Sequence, residues 1–203
     1  MGRQGWGGSQ PAGEAQARAR IIAATIQCLD RNGPRRLTIS AVAVELGVTH
    51  QTVYRYYPDL DSLLVAVSEA AAEDLLADMD PLFKGCDDPA EFVVETTAYV
   101  IERLPESPHL ALPLLAGRVE LFERGALAST VIARTVTMLH ERTAIDWADL
   151  GYDDQELTGL VEFLLRIIQS TVVAPPERPR DGEQLRAWLR RWVAPAVRPA
   201  GPG

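Results

Sequence analysis

Between Thr49 and Arg55 the chain reads T-H-Q-T-V-Y-R, a run in which nearly every side chain can donate or accept a hydrogen bond. The amide of Gln51 presents a donor beside an acceptor, the pattern that suits adenine in a major groove, and His50 can donate to guanine. The hydroxyls of Thr49 and Thr52 and the phenol of Tyr54 suit phosphate oxygens, contacts that position a protein on a duplex without reading it. Arg55 suits either role, and Thr38 joins the same candidate set. This is the chemistry of recognition, not of bond-making. His50, His109 and His140 stand on separate elements with no metal-ligand spacing, and no P-loop, dinucleotide fingerprint or G-x-S-x-G nucleophile run occurs. Neither a catalytic constellation nor a metal or other cofactor is therefore expected.

The elements that must carry this run are legible on either side of it. Thr38 and Thr49 each stand where an N-cap is needed, and Leu37/Val42 and Val48/Val53 have the spacing of hydrophobic staples. Gly47 lies between, suited to the left-handed conformation that ends a helix. Helices are expected over residues 39–46 and 50–56, a helix-turn-helix whose second helix would enter a major groove with His50 and Gln51 foremost. Upstream, Ala19, Ile22, Ala23, Ile26 and Leu29 recur at helical spacing, so a first helix should run from about Glu14 to Arg31, stopped by Asn32-Gly33-Pro34. Downstream, Asp59 should cap a long helix from Leu60 to about Phe83.

The stretch AVAVELGVTHQTVYRYYPDLDSLL, preceded by IIAATIQCLDRNGPRRLTIS, resembles the DNA-binding signature of the TetR family of bacterial transcriptional regulators. The resemblance covers roughly residues 15 to 65. It departs from the family pattern at Gln51, where a small residue is usual, and at Leu60, where a lysine is usual. It implies an all-α protein of about nine helices: a three-helix head and a C-terminal body for ligand binding and dimerisation. The implied partners are an operator in double-stranded DNA, a second copy of the chain and an unknown small-molecule effector. The implied role is that of a repressor released by that effector. The competing reading is a helical ligand-binding or adaptor protein whose head no longer binds DNA specifically.

Charge and composition bear on that choice. Of 203 residues 47% are hydrophobic and 24% charged, as in ordinary soluble globular proteins. No apolar run is long enough to span a bilayer and no signal peptide opens the chain, so a cytoplasmic location with no membrane partner is expected. The net charge is −8, yet residues 1–60 hold seven Arg against four acids, a surplus of +3 that leaves −11 for the remainder. A basic head on an acidic body is the asymmetry expected when one end meets phosphates. Only Lys84 among the cations is a lysine, and Cys28 and Cys86 suggest no disulfide framework.

The domain reading follows: a disordered Gly-rich arm over 1–13, the head over 14–58, the body over 59–197 and a disordered tail over 198–203. The alternative for the arm is a segment whose Arg3 reaches a minor groove. In the body, helices are expected over about 89–104, 109–123 (shortened or kinked at Pro113), 126–147, 154–174 and 182–194. Phe92, Tyr99, Arg118, Phe122, Met138 and Phe163 are candidates to line an effector pocket, weighed against plain core packing. Arg118 would want an anionic ligand or a carboxylate such as Glu120 or Glu95. Leu164, Ile168, Leu185, Trp188 and Trp192, on the last two helices, are the candidate dimer interface, since tryptophan is enriched in such surfaces.

Overall fold

The computed structural model describes residues 6–112, 120 and 129–197, and among these there is no β-strand. The chain divides into two compact units, Met1–Ala72 with Pro108–Phe122 and Glu73–Ser107 with Glu123–Gly203.

The first unit is built around α1 (Glu14–Asn32), α2 (Ile39–Leu46), α3 (His50–Tyr56) and the first half of α4 (Leu60–Asp78). On α1 the buried positions are Ala17, Ile21, Ala24, Thr25, Cys28 and Leu29, a stripe at helical spacing. Thr25 survives in that stripe because its hydroxyl donates to the Ile21 carbonyl at 2.7 Å. The Thr38 hydroxyl oxygen accepts from the Ala41 N–H at 3.1 Å, and that of Thr49 from the Thr52 N–H at 3.2 Å, so both caps form. Gly47 ends α2 in the left-handed region (φ 67°, ψ 27°). The Asp59 carboxylate accepts from the Ser62 N–H at 2.7 Å to open α4, and these bonds hold the carboxyl below its ordinary range. Ile21, Leu29, Leu37, Val42, Leu46, Val53, Tyr57, Leu63, Leu64 and Val67 close into one core, against which Leu60 also packs.

In the second unit the helix expected to run unbroken to Phe83 stops at Asp78, and α5 (Asp80–Gly85) begins after Met79. Pro81 is the cause: it offers no N–H to the preceding turn and its ring would strike the carbonyl four residues back, whereas it is at home in the first turn of a new helix. The Asp88 carboxylate caps α6 (Pro89–Arg103) by accepting from the Glu91 N–H at 2.7 Å. The expected helix over 109–123, its break at Pro113 and the start of the next segment lie outside the described residues. From Ser129 the chain forms α7, which ends at Arg142 instead of continuing to Trp147. Leaving the helix lets Trp147 bury almost completely beside Phe92 and Tyr152, with ring centroids 6.1 and 5.7 Å away. The chain then turns at Gly151 (φ 85°).

Asp153 and Glu156 form a reciprocal capping box at the start of α8 (Asp154–Val173). The final helix, α9 (Gly182–Trp192), docks on α6 through a charge network. Arg186 donates to Glu95 at 2.8 Å and to Glu102 at 2.9 Å, while Arg190 donates to Glu91 and Glu183 at 2.6 and 2.7 Å. The bond from Arg190 holds the Glu91 carboxyl below its ordinary range.

Candidate nucleic-acid interface

The seven residues of α3 sort cleanly into two faces. Val53 is fully enclosed and Tyr57, just past the helix, is buried, while His50, Gln51, Tyr54 and Arg55 are exposed. Thr38 and Thr49 are exposed and Thr52 half-exposed. The pattern follows from the sequence: one apolar residue anchors a short helix, and every other position carries a hydrogen-bonding side chain.

Several of these groups are pre-oriented by their neighbours. The His50 ring meets the Tyr54 ring edge to face, centroids 4.3 Å apart, at the i,i+4 spacing that places side chains one above the other. Thr49 and Thr52 hydroxyls share a hydrogen bond of 2.8 Å. At Thr38 the cap uses an acceptor lone pair and leaves the hydroxyl proton free to donate outward, which is the polarity a phosphate oxygen requires. Arg55 donates to the Tyr56 phenol at 2.8 Å and lies 4.8 Å from that ring's centroid.

Arg18 and Arg20, both on α1, are engaged within the head. Arg18 donates to Glu14 at 3.0 Å and to the Tyr56 carbonyl at 2.9 Å, so it caps the C-terminal end of α3 with a positive charge. Arg20 donates to the Trp6 carbonyl at 3.2 Å, to the Ser9 carbonyl, and to the Ser9 hydroxyl at 2.9 Å. The composition of residues 1–13 suggests disorder, yet Trp6–Gly8 form a 3-10 turn whose Trp6 ring stands edge-on to Tyr56, centroids 6.1 Å apart. Nothing local in a glycine-rich stretch signals this, because the partner lies fifty residues downstream. An open cleft of about 360 Å³ beside this contact is lined by Pro11, Gly13, Glu14, Arg55 and Tyr56.

Charge in this unit is unevenly neutralised. Arg31 pairs with Glu45 and Arg18 with Glu14, whereas Arg20, Arg35, Arg36 and Arg55 have no ion-pair partner among the described residues. Of these, Arg55 lies on the exposed face of α3, where its charge suits a polyanion.

The body candidates separate on burial. Phe92 is core, with the Phe83 and Trp147 ring centroids 5.9 and 6.1 Å away, and Met138 is also buried. Tyr99 is half-buried, and Phe163, expected among pocket-lining residues, is 37% exposed on α8. Arg118 and Phe122 lie outside the described residues, and Glu95, one carboxylate considered for Arg118, is engaged by Arg186. Of the dimer candidates, Ile168 and Leu185 are already covered by their own chain and have little area left to bury against a partner. Leu164 is half-buried, Trp188 half-buried with the Arg180 guanidinium 5.2 Å from its ring, and Trp192 60% exposed.

Comparison with known proteins agrees with this geometry. Residues 21–67 match the family described as bacterial regulatory proteins, tetR family. An uncharacterised HTH-type transcriptional regulator of Mycobacterium tuberculosis (strain H37Rv) is 27% identical over 158 residues, covering 67% of this chain and 84% of that protein. A similar regulator of Mycobacterium bovis is 27% identical over 160 residues, with the same coverage of each. Among solved structures, the TetR family repressor AlkX from Dietzia sp. superposes with a TM-score of 0.64 at 18% identity, over 93% of this chain and 97% of its own. GusR of Salmonella enterica does so with a TM-score of 0.55 at 18% identity, over 93% and 99%.

Proposed function

We propose that this chain, whose residues 21–67 match the tetR family of bacterial regulatory proteins, is a transcriptional regulator of that family, a homodimeric repressor released from its operator by a small molecule. The observation that carries the proposal is the two-faced α3, where Val53 is sealed into the head and His50, Gln51, Tyr54 and Arg55 face outward. Gln51 and His50 read base edges. Thr38, Thr49, Thr52 and Tyr54 hold phosphates, and Arg55 serves either role.

One such helix reads too few bases to be specific, and two heads roughly 34–36 Å apart on a two-fold axis would read two half-sites. The exposed ring of Trp192, with Trp188, Leu164 and the outward Phe163, supplies apolar surface for that pairing. Head (14–58) and body (59–197) then divide the labour, the body holding the effector. Ligand binding acts by favouring a form whose heads no longer fit adjacent grooves, which requires different affinities for the two forms.

The test is a binding titration of the full chain on its own upstream DNA across a salt series. A specific complex whose affinity falls steeply with salt supports the reading. The adaptor reading is favoured by Leu60, which packs on the head core where the family resemblance leads one to expect a phosphate-binding lysine. It requires that no specific complex form at any salt.

A further inference from the structure

Among the described residues, one residue other than glycine has a left-handed backbone, and it is Trp6 (φ 67°). A bulky side chain in that region is strained and persists only where surrounding contacts impose it. The contacts here are identifiable. Arg20 on α1 donates to the Trp6 carbonyl and twice to Ser9, fixing the strand of chain that bears Trp6, and the ring stands edge-on to Tyr56. Tyr56 is the last residue of α3, its carbonyl held by Arg18 and its phenol accepting from Arg55. The line therefore runs Arg20, Trp6, Tyr56, Arg55, from the first helix to the outward face of the recognition helix.

We infer that residues 6–9 are a strap on the DNA-binding head, and that Trp6, pinned by Arg20, is a positioning residue that sets Arg55 through Tyr56. A seven-residue helix with one fully buried side chain has few anchors of its own, so a contact at its final residue weighs heavily on its alignment. Arg20, on this account, contributes to DNA binding by holding the strap, not by touching phosphate. The inference rests on the proposed function, in that it assigns Arg55 to the DNA-facing surface.

The test uses the full chain with Trp6→Ala, Trp6→Phe, Arg20→Ala and the Trp6→Ala/Arg20→Ala pair, read by operator binding over a salt series and by amide hydrogen exchange of the free protein. Trp6→Ala should weaken operator binding about two- to ten-fold, the range of an aromatic pair. It should also speed exchange in residues 54–57, and Trp6→Phe should restore most of both. Arg20→Ala should reproduce Trp6→Ala with an unchanged salt slope, and the double variant should be no worse than either single one. An Arg20→Ala slope shallower by about one would make Arg20 a phosphate contact and overturn the strap. So would wild-type affinity and wild-type exchange in Trp6→Ala. A wild-type chain with no specific complex would defeat the proposed function itself, and this inference with it; unaltered exchange in Trp6→Ala defeats the strap alone.

Discussion

Two glycines in this chain should answer the same substitution with opposite signs. Gly47 sits at φ 67° and ψ 27° between the two motif helices, and Gly159 lies inside α8 with no positive φ. At both sites an added Cβ would meet no heavy atom within 4 Å among the described residues beyond the adjacent chain and the helix's own backbone, so the local backbone conformation decides the outcome. At Gly47 an alanine carries the left-handed penalty, about 1–2 kcal/mol, partly offset by about 0.4–1 kcal/mol from a less flexible unfolded chain. The net expectation for Gly47→Ala is a loss of roughly 1 kcal/mol. Gly47→Asn should lose less, because asparagine tolerates this region, and Gly47→Val should lose most. Gly159→Ala should gain about 0.8–1 kcal/mol from helix propensity alone. For a chain of this size each kcal/mol moves the melting temperature by about 2–4 °C, so thermal unfolding followed by circular dichroism separates the variants. Gly47→Ala should also weaken operator binding, since the turn sets the direction in which α3 leaves α2. A Gly47→Ala protein that melts above wild type, or an asparagine variant as damaged as the valine one, would refute the reasoning.

Three further outcomes follow from the same structure. Gln51→Ala should change the base preferred at one operator position, while Tyr54→Phe should weaken binding to all sequences alike; a selection experiment giving identical profiles would reverse these roles. Trp188→Asp and Trp192→Asp should each shift the protein towards monomers in light scattering, the second more strongly because its ring is the more exposed. Glu91 has a carboxyl lowered by Arg190. It contributes stability that is fully present above the ordinary glutamate range and lost as pH falls through the lowered value. Glu91→Gln should therefore flatten the acid limb of an unfolding-versus-pH curve, and an unaltered limb would remove this pair from the account.

The parts of the molecule legible in the sequence are those set by neighbours a few residues apart. Thr38, Gly47, Thr49 and Asp59 form their caps and turn because each needs only a backbone group within three residues. The two faces of α3 were equally plain, since Val53 is the apolar exception in a polar run. What escaped depends on distant partners. A stripe at i, i+3, i+4 and i+7 gives Leu185, Trp188 and Trp192 equal status, and the fold alone decides that the leucine goes under α6 while the last tryptophan remains outside. Trp6 stands in a stretch whose composition reads as coil, and its order depends on Arg20 and Tyr56. The chemistry of the proposed effector was not legible at all, because aromatic residues at helical spacing look alike whether they line a cavity or, like Phe92, fill a core.

The head contains no lysine: every cation before Lys84 is an arginine, and Arg18, Arg20, Arg31 and Arg55 all form planar, directional bonds. A guanidinium stays ionised across the whole physiological pH range and offers no side-chain amine to acylating enzymes. The guanidinium share of this tip's attraction for a polyanion is thus permanent, untouched by acidity or acetylation. On the proposed function, release from DNA would come from rearranging the two tips, not from discharging their arginines.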